Sequence, residues 1–225
     1  MTRSELATLL DHSILRPEAT EADILAGADL VRQWSIGFYC VQPSFVSTAT
    51  AGLQGTEARV VSVVGFPHGC ERSVVKGQTA ALAVQDGAAE VDMVLNVGKL
   101  KSGRSQAVAS EIAQVVRAVP GIPVKVILET CLLTDEEKVI ACRLVQDAGA
   151  AFVKTSTGFN PGGGATVQDV RLMRATVGPN FGVKAAGGIR TLADTLAMLE
   201  AGANRLGTSA SLAILRALED RNPEG

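Results

Sequence analysis

Three of the seven lysines in this chain lie inside runs of apolar residues: Lys125 in PVKVILE, Lys154 in AFVKTSTG and Lys184 in FGVKAAGG. Lysine is almost never fully buried without a partner or a purpose, because its ammonium must leave water. Asp92, in the run EVDMVLN, is the matching acid. An ammonium beside a second lysine depresses the neighbour's pKa and keeps a fraction of it as neutral amine near pH 7. A neutral amine attacks carbonyls, which is the requirement for Schiff-base chemistry, and the remaining lysine and carboxylate are left to move protons. The competing reading is an internal ion pair of Asp92 with Lys154 or Lys184 that is structural only. Three lysines together weigh against it.

Glycines with hydroxyls form a second constellation, at Thr155-Ser156-Thr157-Gly158, Gly187-Gly188 and Gly207-Thr208-Ser209. Each follows an apolar run and precedes an amphipathic one, so exposed backbone amides and helix N-termini there would make an anion site. Taken singly, a Gly-Gly pair is more often a tight turn. The run Gly162-Gly163-Gly164 lacks the Lys and Ser/Thr of a P-loop and the spacing of a dinucleotide fingerprint, and reads as a mobile loop after Pro161. Metal chemistry is disfavoured, since His12 and His68 are the only histidines and neither has an HxxxH partner or a carboxylate cluster. Both read as loop residues or neighbours of the site rather than bases. Cys40, Cys70, Cys131 and Cys142 form no CxxC pair, which predicts reduced thiols, with Cys40 in a core strand.

Eight strand-like runs alternate with amphipathic segments: 12–15, 37–42, 59–64, 89–95, 123–129, 150–155, 181–185 and 203–207, with helices over 21–34, 44–51, 71–86, 104–118, 135–148, 166–177, 191–201 and 209–219. Gly87, Gly149 and Gly202 each end a helix and lead into a strand, a repeated joint of the kind a barrel of βα units produces. The pattern predicts an α/β fold, a single (β/α)8 TIM barrel over residues 1–225, with an open doubly wound sheet as the competing layout. In such a barrel, reactive groups sit at the C-terminal ends of the strands, and the loops after the last two strands commonly hold phosphate.

The charge balance, 21 basic against 23 acidic residues with no basic cluster, excludes the usual basic nucleic-acid binder. Arg3, Glu5 and Asp11 interrupt any signal-like apolar run, and the longest uncharged stretch, 33–56, is too polar to span a membrane. A cytoplasmic protein is expected, with no nucleic-acid or membrane partner.

The motifs LDHSIL, VVGFPHG, EVDMVLNVGKLKSG, KVILET, FVKTSTGF and VKAAGGIRT, in this order over almost the whole chain, resemble the deoxyribose-phosphate aldolase family. The resemblance implies a class I aldolase without metal or cofactor that reversibly cleaves 2-deoxy-D-ribose 5-phosphate into acetaldehyde and D-glyceraldehyde 3-phosphate. Its partners would be sugar phosphates and aldehydes, and its state a homo-oligomer. On matching positions it implies that Lys154 is the Schiff-base residue and that Lys184 tunes it and relays protons. Asp92 would act with a water as proton donor and acceptor, and Lys125 would play a supporting part. The phosphate would lie against Thr157, Gly158, Gly187, Gly188, Gly207 and Ser209. One departure stands out: some members end in a tail with a terminal tyrosine, whereas this sequence ends RNPEG and its only tyrosine is Tyr39.

Overall fold

A computed structural model describes residues 1–221; residues 222–225, most of the terminal RNPEG, lie outside the described residues. Eight parallel strands pair in chain order: β1 (Leu10–Ile14), β2 (Phe38–Val41), β3 (Arg59–Val64), β4 (Glu90–Val94), β5 (Val124–Ile127), β6 (Phe152–Lys154), β7 (Gly182–Ala186) and β8 (Arg205–Thr208). The sheet closes where Leu10 pairs with Leu206 and Asp11 with Gly207, so the open doubly wound layout is excluded. Helices α2 (Glu21–Gln33), α3 (Val46–Gly52), α4 (Ser73–Gln85), α6 (Ser105–Ala118), α7 (Asp135–Asp147), α8 (Val167–Val177), α9 (Leu192–Glu200) and α10 (Ser211–Arg221) follow the eight strands in turn. The architecture is a (β/α)8 barrel.

Local chemistry explains the boundaries. Thr20, Thr134 and Thr191 cap α2, α7 and α9 in reciprocal boxes with Asp23, Glu137 and Asp194. Gly87, Gly149 and Gly202 adopt positive φ at the helix ends, as the repeated joint predicts. Two short helices are absent from the sequence reading, α1 (Arg3–Thr8) and α5 (Val97–Lys101). The first has a legible start, the Thr2–Glu5 capping box, but only six residues of periodicity. The segment after β2 begins with a 3₁₀ turn, Pro43–Phe45, before α3. β1 begins at Leu10, two residues earlier than the predicted run, and this shift brings Asp11 into the sheet.

Side chains alternate across each strand, and the outward set, including Val60, Val91, Val126, Val153 and Leu206, packs under the helices in the main core. The register arranges the inward set in levels contributed by alternate strands. Phe38, Glu90, Phe152 and Arg205 form the level at the N-terminal end of the strands. Asp11, Val61, Lys125 and Lys184 form the next, and Cys40, Asp92, Lys154 and Gly207 the one above it. Charged groups thus occupy positions that a barrel of this kind ordinarily fills with Val, Ile and Leu. No helix among the described residues is long and apolar enough to cross a membrane.

Outside the barrel, Lys76 of α4 is fully buried. Its ammonium donates to Gly69 O and Val94 O, both at 2.8 Å, and to Glu111 of α6 at 2.6 Å. It thereby ties the β3–α4 loop to the end of β4. Lys76→Met, which leaves Glu111 with the part-exposed Lys99 at 3.1 Å and strips Gly69 O and Val94 O of their donor, should lower stability by about 3 kcal/mol. Lys76→Met/Glu111→Leu should recover part of that loss in urea denaturation, and a single-variant loss under about 1 kcal/mol would assign the pair no stabilising role.

Candidate active site

β4 is the strand that organises the interior. Its Asp92 is fully buried and receives three lysines, Lys125 on Oδ1 at 2.8 Å and both Lys154 and Lys184 on Oδ2 at 2.8 Å. Lys154 and Lys184 are register partners on β6 and β7, and Asp92 and Lys125 on β4 and β5, so backbone pairing sets each pair side by side and the Asp92 carboxylate joins the two pairs. The structure brings together every interior residue that the sequence singled out, including Lys125.

It also adds three that sequence reading passed over. Asp11 of β1 is in direct contact with Lys184 and accepts from Arg205 at 3.1 Å. Glu90 of β4 meets Lys125 at 2.5 Å and Arg205 at 3.0 Å. Arg205 of β8 lies over the Phe38 ring, 3.4 Å from its centroid. Polar residues inside apolar runs were the signal used, but Glu90 and Arg205 open their strands and Asp11 precedes the predicted run 12–15.

Burial opposes the charge on Asp92, but Lys125, Lys154 and Lys184 outweigh it and hold the carboxyl well below the ordinary aspartate range. Asp11 is likewise desolvated, yet Lys184, Lys125 and Arg205 keep it below its usual value. Lys184 loses solvation too, and Asp11 and Asp92 more than restore its preference for the charged form. It is therefore a fixed cation.

Above this group lies a cavity of about 350 Å³. Of the three interior lysines only Lys154 reaches its lining, and Thr157, Gly158, Gly187, Gly188, Gly207 and Ser209 all stand around it. Gly158, Gly187 and Gly188 have φ of 84°, 85° and 78°, a region that side chains disfavour. Thr155 Oγ1 donates to Ala186 O at 3.1 Å and accepts from Ala186 N at 3.0 Å, clamping the loop after β6 to the end of β7. Thr157 lines the wall, but its hydroxyl is committed, donating to Glu129 at 2.5 Å. Two cations that the sequence reading did not select, Arg16 and Arg190, join the lining.

His12 is a strand residue of β1, within the predicted run 12–15, and its ring lies near Tyr39 with Nδ1 3.2 Å from Ser211 Oγ. Burial pushes its pKa down to about 4. The triple-glycine run is anchored at its end, where Ala165 N donates to Ala186 O and Gly187 O and a Cβ on Gly164 would stand 2.2 Å from Gly187 O. Cys40 is buried in β2, as predicted. Among the described residues no group of three His, Cys, Asp or Glu side chains is arranged to hold a metal ion.

These shifts fix the acid branch of stability. His12 is held below its unfolded value near 6.5, so its contribution is complete above that pH and is lost as pH falls toward 4. Asp11 and Asp92 are held below an unfolded value near 3.9, so their contribution is lost only on further acidification toward their depressed values. The urea midpoint should decline gently below about pH 6.5 and steeply below about pH 4. His12→Gln should remove the first decline alone, and an unchanged pH profile in that variant would refute the assignment.

Comparison with known proteins gives the geometry a context. Residues 11–217 match the family model of the DeoC/LacD family aldolases. A deoxyribose-phosphate aldolase of Streptococcus pneumoniae serotype 19F (strain G54) is 53% identical over 212 residues, covering 94% of this chain and 96% of the relative. Among solved structures, the aldolase QR15 is 36% identical with a TM-score of 0.92 and 97% of each chain covered. A tetrameric deoxyribose phosphate aldolase from Aeropyrum pernix is 29% identical with a TM-score of 0.89, covering 98% of this chain and 93% of that one. With a family model spanning nearly all of the barrel, the chain belongs to the DeoC/LacD aldolase family.

Proposed function

We propose that this single-domain barrel is a class I aldolase that reversibly cleaves 2-deoxy-D-ribose 5-phosphate to acetaldehyde and D-glyceraldehyde 3-phosphate through a Schiff base on Lys154. The observation that carries the reading is access: three lysines surround Asp92, and Lys154 alone opens on the cavity. The name of the Streptococcus relative supports the substrate.

The chemistry proceeds from these positions. The neutral amine of Lys154 adds to the C1 aldehyde, and loss of water leaves a protonated imine. Lys184 is held charged beside Asp11 and Asp92, and Asp92 with a water carries the protons. As the C2–C3 bond breaks, its electron pair moves into the iminium and forms an enamine. The C3 hydroxyl loses its proton and becomes the aldehyde of glyceraldehyde 3-phosphate. Protonation of the enamine carbon and hydrolysis of the imine release acetaldehyde and restore Lys154. The glycine loops after β6, β7 and β8 receive the phosphate through backbone amides.

The reaction places the protein in the breakdown of deoxyribose phosphates. We read the enzyme as cytoplasmic and homo-oligomeric, a state the tetrameric Aeropyrum pernix relative favours.

Borohydride reduction in the presence of deoxyribose 5-phosphate should leave one adduct, on Lys154, in samples treated with EDTA as well. Lys154→Ala should lose both adduct and cleavage with an unchanged circular dichroism spectrum. An adduct on Lys184 would exchange the two lysine roles, and none on any lysine would refute the mechanism.

Gly187→Ala tests the phosphate site, because an added Cβ would lie 3.0 Å from Gly164 Cα and 3.2 Å from Gly158 Cα at a positive φ. KM for deoxyribose 5-phosphate should rise about tenfold or more, since 1.4 kcal/mol of lost binding is a factor of ten. Cleavage of unphosphorylated deoxyribose should change far less. Equal effects on both substrates would place the phosphate elsewhere.

A further inference from the structure

Below the cavity the interior holds three carboxylates, Asp11, Glu90 and Asp92, and four cations, Lys125, Lys154, Lys184 and Arg205, all buried. Six of the seven make a closed ring of alternating sign. Arg205 contacts Asp11 at 3.1 Å, Asp11 contacts Lys184, and Lys184 contacts Asp92 at 2.8 Å. Asp92 then meets Lys125 at 2.8 Å, Lys125 meets Glu90 at 2.5 Å, and Glu90 returns to Arg205 at 3.0 Å. Every ring member touches two partners of opposite charge. Lys154 is outside the ring, and among the described residues Asp92 at 2.8 Å is its only carboxylate.

We propose that Glu90 and Arg205 are positioning residues: by closing this ring at the end of the barrel away from the cavity, they leave Lys154 as the one surplus cation and make its proton the one that departs. The inference rests on Lys154 being the reacting amine. A net charge in a buried interior is costly, and the seven groups sum to +1 with Lys154 protonated and to zero with it neutral. Arg205 cannot relieve the excess, because a guanidinium does not deprotonate in proteins. Its position over Phe38, with Phe152 5.4 Å away on the same level, keeps it packed against aromatic faces. Lys125 and Lys184 are each held by two carboxylates.

The other groups facing this interior do not upset the balance. β2 contributes the Cys40 thiol, which burial pushes up to about 11, and β3 contributes Val61 and Val63. Glu129, beyond the end of β5, is turned to Thr157, and Arg16 and Arg190 stand at the cavity lining above.

The ring makes predictions of opposite sign from two residues far from the cavity. Arg205→Met removes a positive charge and should raise the pH at which Lys154 loses its proton by on the order of one unit. Glu90→Gln removes a negative charge and should lower it by a similar amount. Arg205→Met/Glu90→Gln, neutral in sum, should return it close to the parent. The readout is acetylation of Lys154 by acetic anhydride as a function of pH, quantified by mass spectrometry, with the acid limb of kcat/KM alongside. Because labelling reports the proton whether or not substrate forms an adduct, a missing adduct refutes the aldolase mechanism without touching the titration. Shifts in the same direction, or none, in folded variants overturn the proposal. Where one single variant does not fold, the other is compared with the double variant and must still differ from it in the stated direction. Failure of all three to fold assigns the ring to stability and overturns it as well.

Discussion

One carboxylate holds three ammonium groups in the centre of this barrel. Without Asp92, Lys125, Lys154 and Lys184 would face one another in an interior from which water is largely excluded, and repulsion there is far stronger than at a surface. Asp92 divides its two oxygens by strand: Oδ1 serves Lys125 on β5, and Oδ2 serves the pair on β6 and β7. The strand register sets Asp92 beside Lys125 and Lys154 beside Lys184, and the Asp92 carboxylate joins the two pairs.

The interior has two unlike walls. β2 and β3 present Cys40, Val61 and Val63, which cluster with Leu15, whereas the remaining strands carry the charged residues. An apolar wall lowers the local dielectric and strengthens each charged contact opposite. At the mouth the character changes again, to glycine loops whose shape is maintained by Thr155, by Glu129 and by the approach of Gly164 to Gly187. The centre is charged and the nearby rim is built largely from backbone. A phosphorylated substrate would meet reactive nitrogen at one end and amide groups at the other.

Much of this was legible in the sequence because its signals were local. Alternating apolar runs and glycine joints are set by residues close together in the chain, and they predicted eight strands and eight principal helices. Lys154, Lys184, Lys125 and Asp92 stood out as charges inside such runs, and the glycine loops stood out by composition. Asp11 was obscured because β1 was started two residues late, which left it before the strand. Glu90 and Arg205 sit at the first positions of their strands, where a charge ordinarily reads as the solvated end of a run. Their partners lie 115 residues apart for Arg205 and Glu90, and 194 for Arg205 and Asp11, distances that only barrel closure makes short. α5 spans five residues and offers too little periodicity to distinguish from a turn.

The same separations constrain how the chain folds. β1 and β8 carry Asp11 and Arg205, so the charges near the two ends of the sequence find each other only when the last strand docks against the first. A half barrel of β1 to β4 would hold Asp11, Glu90 and Asp92 with none of their four cationic partners. Such an intermediate gains apolar contacts but confronts three unpaired carboxylates, and loop closure must be completed before they are neutralised. Partial barrels are thereby disfavoured, and cooperativity between the two halves follows from the interior charges as well as from the closed sheet.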